Sequence, residues 1–151
     1  PVAASDSELF DRVFDPLRPG LGEAPARPEE VEGLAALSDG SQCPAPLGDR
    51  TRQVACGVFV LGTLIGNTMT HEVGHSLGLA NPGSQSGSYH SNGKLPGRLM
   101  NAGSLRSFPE RAEIGGGRPA VFCESEYAYL RGILRGAVGA PPNISRPSCL
   151  E

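Results

Sequence analysis

The chain has no tryptophan, only three histidines, and no aspartate after Asp49. Aromatic residues make up 5% of its 151 positions and charged residues 19%. A net charge of -3 without any basic cluster argues against nucleic acid as a partner. No long hydrophobic run is present. The longest, Cys56 to Gly66, is broken by glycine and threonine and falls short of the ~20 apolar residues a bilayer span needs, so no membrane span is expected. No secretory leader is visible, and the chain opens on Pro1 rather than Met, as a processed or trimmed product does. What is plentiful is turn chemistry. Gly (21) and Pro (14) fill about a quarter of the positions, which fits one small, loop-rich domain.

The four cysteines, Cys43, Cys56, Cys123 and Cys149, include no C-x-x-C pair, so disulfides suit them better than a zinc knuckle. Disulfides in turn point to an extracellular, secreted protein, with reduced buried thiols as the alternative. Three pairings are possible. Cys43 with Cys56 and Cys123 with Cys149 is preferred, because each closes a Pro-rich segment.

Along the chain, residues 1 to 27 are dominated by turn signals around Phe10, Val13 and Phe14. Pro28 to Leu37 predicts a short helix, with Pro28 at its start, acidic residues in its first turn, and Val31, Leu34 and Leu37 at helical spacing. Ser38 to Asp49 is expected to be loop. Gln53 to Leu61 is the best strand candidate, β-rich and bounded by Gly62. Asn67 to Leu79 predicts a helix capped by Asn67 or Thr68 and terminated at Gly78. Asn81 to Gly93 is a turn-rich loop. Ser107 to Glu110 starts a short helix that Gly115–Gly117 breaks, and a last helix is expected from Phe122 to Arg135, with Phe122, Tyr127, Leu130 and Leu134 on one side.

His71-Glu72-Val73-Gly74-His75 carries the chemistry. Residues four apart lie on one helical face, so both imidazoles reach a single cation. Zinc takes such nitrogen ligands and stays catalytic while three protein ligands leave a position for water. Glu72 sits one step round the helix, near that water without being a ligand, and is placed to act as general base. The bland alternative is a chance motif on a polar helix face.

The motif continues as H-E-V-G-H-S-L-G-L, and Leu99-Met100-Asn101 follows between Pro96-Gly97 and Gly103. In this it resembles the metzincin clan of zinc peptidases, over roughly residues 55 to 104 and the final helix. The resemblance implies His71 and His75 as zinc ligands, Glu72 as general base and Met100 as the methionine of the turn beneath the metal. It also implies a third ligand three residues after the glycine, where this chain has Asn81, a poor zinc ligand. The remaining histidine, His90, lies nine residues later and is the expected third ligand; leishmanolysin-like members also carry an insertion there. Glu110, Glu113, Glu124 and Glu126 are the rivals, as a downstream helical glutamate completes the site in the gluzincin clan. Tyr89 neighbours His90 and is a candidate for a role at the metal site. Tyr127 and Tyr129 are expected to be packing residues.

A Ser-His-Asp triad fails on inventory, since it needs a spare histidine and an aspartate partner. The expectation is therefore a secreted, monomeric zinc endopeptidase acting on a peptide or protein substrate. Its fold would be α+β and metzincin-like. An upper part (1–78) would hold a small sheet and the active-site helix, and a lower part (79–151) the zinc loop, the Met-turn and a C-terminal helix, with upstream strands missing or minimal. Substrate would lie in the cleft, paired with the strand near Val58 to Leu61, and Ala102, Gly103, Ser104 and Leu105 would line the pocket after the scissile bond. A rival of another class is a non-catalytic zinc-stabilised interaction module, or an incomplete fragment of a larger protease.

Overall fold

The computed structural model describes residues 5–20, 24–32, 34, 37–79, 90 and 95–134. Among the described residues, five α-helices follow one another: α1 (Asp6–Phe14), α2 (Pro28–Glu32), α3 (Arg50–Ser76), α4 (Phe108–Ala112) and α5 (Glu124–Leu134). Two 3-10 turns, Asp15–Leu17 and Gly103–Leu105, complete the set. Among the described residues there is no strand. Only two isolated bridges occur, Gly40 with Ile114 and Arg98 with Val121. The α+β expectation is thus corrected to a helical architecture.

The decisive misreading is Gln53 to Leu61, which is helix. Asp49 caps α3, its Oδ1 accepting from the Arg52 N–H at 3.1 Å and its carbonyl from Gln53 N–H at 2.8 Å. From there the helix runs 27 residues, about 40 Å at 1.5 Å per residue. A short unbroken apolar run does not distinguish a buried strand from a buried helix. Here Cys56, Val60 and Leu64 recur at four-residue spacing and enter one core, and that burial overrides the strand preference of Val58, Phe59 and Val60. Asn67 and Thr68 therefore cap nothing, since the helix passes straight through them. Nor do Val58 to Leu61 offer a strand edge to a substrate, because their backbone is committed to α3. By length and composition alone α3 is sufficient to cross a bilayer, as are many core helices of soluble proteins.

The chain divides into two units, and the division falls inside α3. Unit 1 comprises residues 1–66 and 107–119. Its core joins Val13, Cys43, Cys56, Val60, Ala112 and Ile114, with Phe14, Phe59, Leu64 and Phe108 packed around them. A Cys43–Cys56 disulfide ties the preceding loop to α3. Helix α1 replaces the turns expected near the N-terminus. Ser5 and Glu8 form a capping box, which stabilises a start that the apolar residues Phe10, Val13 and Phe14 then anchor. Phe10 meets Phe108 edge-on at 5.5 Å, and Asp6 accepts the Phe108 N–H at 2.7 Å. Of the helix expected over Pro28 to Leu37, Pro28–Glu32 is helical, and among the remaining described residues Leu34 and Leu37 are not. Arg50 binds Glu30 at 3.0 Å and the carbonyls of Pro16 and Pro25, fastening that segment to the start of α3.

Unit 2 comprises residues 67–106 and 120–151. Its smaller core is Leu79, Met100 and Leu130, with Leu77, Phe122, Tyr129 and Ile133 against it. The face α5 buries is Glu126, Tyr129, Leu130 and Ile133, rather than the expected side bearing Tyr127 and Leu134, both of which are exposed. Tyr127 therefore does not pack in a core; the Arg131 guanidinium lies over its ring at 5.8 Å. No described cysteine is free, Cys123 being disulfide-bonded as well; Cys149 lies outside the described residues.

Candidate metal centre

The last two turns of α3 hold His71 and His75 on one face, and a sharp stop follows. Gly78 has φ +94, a left-handed conformation that only glycine adopts without strain. Its N–H bonds to the His75 carbonyl and the Leu79 N–H to the Gly74 carbonyl, both at 2.9 Å, which is the Schellman ending of a helix. The expected terminator is thus where the sequence places it, although α3 itself ends at Ser76.

This turn does more than end the helix. It swings the Leu79 carbonyl back to His75 Nδ1, 3.1 Å away. On the other side, His71 Nδ1 meets the Leu99 carbonyl at 2.7 Å. A carbonyl oxygen can only accept, so both Nδ1 atoms carry the proton. Both Nε2 atoms are then bare in the neutral rings, the tautomer a metal ligand requires. Leu99 is itself fixed, its N–H bonding to the Val121 carbonyl while the Val121 N–H bonds to the Gly97 carbonyl, each at 2.9 Å. Asn101, buried, ties the same loop shut by donating from Nδ2 to the Leu95 carbonyl at 2.9 Å.

The two Nε2 atoms stand 3.0 Å apart. Lone pairs facing at that distance repel unless a proton or a metal cation lies between them. Tetrahedral ligation at about 2.0–2.1 Å separates two nitrogens by about 3.3 Å, so the pair stands close to the spacing one ion needs. His90 completes the group. Its ring stacks on His71 at 5.1 Å and meets His75 edge-on at 5.2 Å. The ligand atoms of all three lie within 4.8 Å of one another, and the group can hold a metal ion. Burial, then the proximity of His71 and His75, holds His90 below the usual histidine range, against a smaller opposite pull from Glu72. The neutral ring is the ligating form.

No glutamate joins the three histidines among the described residues. Glu126 is committed elsewhere, with its Oε2 accepting the Cys123 N–H at 2.8 Å. Glu72 is exposed on the helix beside His71, and its carboxylate makes no hydrogen bond or ion pair among the described residues. Met100 is 2% exposed and sits against Gly74, where an added Cβ would meet its sulfur at 2.7 Å. The absence of a side chain at Gly74 thus lets the Met100 turn close against the helix between the two histidines. Asn81 and Tyr89 lie outside the described residues. Gly103–Leu105 form a 3-10 turn with Leu105 exposed.

Sequence reasoning missed the carbonyls of Leu79 and Leu99 and the hydroxyl of Tyr129, which donates to the Leu77 carbonyl at 3.1 Å. Backbone acceptors leave no residue signature, though Gly78 hinted at the first. Compared with protein-family models, curated proteins and solved structures, the chain matches none.

Proposed function

We propose that this chain is a zinc-dependent endopeptidase whose site is of metzincin type in its ligand set, though set in a helical fold. The observation that supports this most is the pair of Nε2 atoms 3.0 Å apart, with each ring's Nδ1 on a backbone carbonyl. Three imidazoles suit zinc, and a three-ligand site leaves a position for water.

When bound, zinc supplies a Lewis acid that polarises a carbonyl and lowers the pKa of water to about 7. The protein's own residues do the rest. His71, His75 and His90 hold the ion, and the carbonyls of Leu99 and Leu79 keep two of those rings from rotating. Glu72, one residue from His71 and exposed, accepts the proton of the attacking water and returns it to the leaving amine. Met100 supports the helix from beneath through Gly74. The Cys43–Cys56 disulfide is compatible with an oxidising, extracellular setting and supports that part of the reading.

The non-catalytic zinc module is a second reading, favoured by one observation: no strand among the described residues is available to pair with an extended substrate. Casein digestion with and without a chelator, alongside zinc analysis, separates the two. Chelator-sensitive cleavage supports the peptidase. Zinc-loaded protein without cleavage supports the module.

A further inference from the structure

The Tyr129 hydroxyl of α5 is bound to the segment that orients one of the three histidines. A helix leaves its last four carbonyls without partners inside the helix. At the end of α3, Gly74 and His75 give theirs to Leu79 and Gly78, and the Leu77 carbonyl accepts from Tyr129 at 3.1 Å. The phenol also lies directly under the turn, since a Cβ on Gly78 would meet the Tyr129 hydroxyl at 2.8 Å. Residues 77–79 are therefore gripped from both sides, by α3 through the Schellman bonds and by α5 through the phenol. The product of that grip is the position of the Leu79 carbonyl, which sets the tautomer and rotation of His75.

We propose that Tyr129 is a positioning residue of the metal centre, acting through the turn at Leu77 to Leu79 on His75. This rests on the metal reading above. Its ring alone would serve for packing, as Leu130 and Ile133 do in the same core. The hydroxyl adds a directional bond to the carbonyl next to the glycine that makes the turn. Outer partners of metal-ligating histidines typically carry 10- to 100-fold in affinity. Tyr129 is one step further out, so about tenfold, the low end, is expected.

The test is Tyr129→Phe, which keeps the ring and removes only the hydroxyl. Zinc affinity of the full chain is measured by competition with a chelating dye, and the His75 Nδ1–H resonance is followed by proton NMR in the same samples. Tyr127→Phe, altering an exposed tyrosine on the same helix, is the control. The expected result is about tenfold weaker zinc binding for Tyr129→Phe, with a shifted or rapidly exchanging His75 Nδ1–H, an unchanged helical circular dichroism spectrum and an unaffected control. A structural role alone would lower the melting temperature without moving either metal-site readout. Wild-type affinity together with an unchanged Nδ1–H signal in Tyr129→Phe overturns the proposal. Failure of the wild type to bind zinc overturns the metal reading itself. Should Tyr129→Phe not fold, 3-fluorotyrosine at position 129, which keeps the ring and hydroxyl but changes the donor strength, takes its place; zinc affinity and a His75 Nδ1–H signal both unchanged in it overturn the proposal.

Discussion

The two halves of α3 use the same helix for different ends. Residues up to 66 spend their inward face on apolar burial: Cys56, Val60 and Leu64 enter a core that a disulfide closes. Residues from 67 onward belong to a unit whose core cluster has three buried members among the described residues, and place polar imidazoles instead. The first half is held by area removed from water, a force without direction. The second is held by directional bonds: a Schellman turn, two carbonyl–imidazole contacts and a tyrosine on a carbonyl. Opening the apolar core of the first half should therefore read out as stability, and removing a polar group around the histidines of the second as function.

The sharpest way to test that contrast is Glu72→Ala. It removes the proposed proton acceptor and leaves the three histidines in place, so casein cleavage should fall by about 10²- to 10⁴-fold while zinc content and melting temperature stay at wild-type levels. Undiminished cleavage would end the proposed mechanism. On the other side, Cys43→Ser with Cys56→Ser opens a loop of 13 residues. That costs about 3 kcal/mol of unfolding free energy in urea titration, with zinc affinity unmoved. A parallel loss of zinc would show that the halves are not separable in this sense.

Two glycines of α3 give a finer comparison. Gly62 has nothing within 4 Å of the place its Cβ would occupy, so Gly62→Ala should stabilise by about 1 kcal/mol through helix propensity alone. Gly74→Ala gains the same propensity but drives a methyl group into the Met100 sulfur, and overpacking of about 1–3 kcal/mol leaves it net destabilised. Thermal denaturation of the two variants should therefore shift in opposite directions.

The smallest effect is in pH dependence, where two glutamates differ in sign. Arg50 holds Glu30 down to about 2, so its contribution to folding is present above the ordinary carboxylate range and fades as pH falls toward about 2. Burial pushes Glu126 upward, against the opposing Cys123 N–H and Arg98. Its neutral form is the one the fold favours, so stability from this group is full below the ordinary range and declines as pH rises through its folded value. Glu126→Gln should then gain on the wild type as pH rises from 4 to 7, and Glu30→Gln should lose. Melting curves across that interval check both signs.

How much of this was legible in the residues follows the same division. The histidine half is the legible one, because H-E-x-x-H sets two imidazoles one turn apart, and Gly78 is the residue a left-handed turn demands. His90 was reachable by inventory, there being no other histidine left. The apolar half was misread. Val58 to Leu61 look like a strand because β-branched and aromatic residues crowd together there, and the helical spacing of Cys56, Val60 and Leu64 is hidden inside an almost wholly apolar run. Helix α1 was missed for another reason: its signal is the Ser5–Glu8 capping box, two polar residues easily read as part of a turn. Which way α5 faces was also hidden, since its buried side includes Glu126 and its exposed side Tyr127 and Leu134.

The central claim is that three histidines from α3 and the loop beyond it form one zinc site. Elemental analysis of purified wild type, His90→Ala and Asn81→Ala, each after dialysis against trace zinc, tests it most directly. The account expects one zinc per chain in the wild type and in Asn81→Ala, and little or none in His90→Ala. Full zinc occupancy in His90→Ala, or none in the wild type, would contradict it.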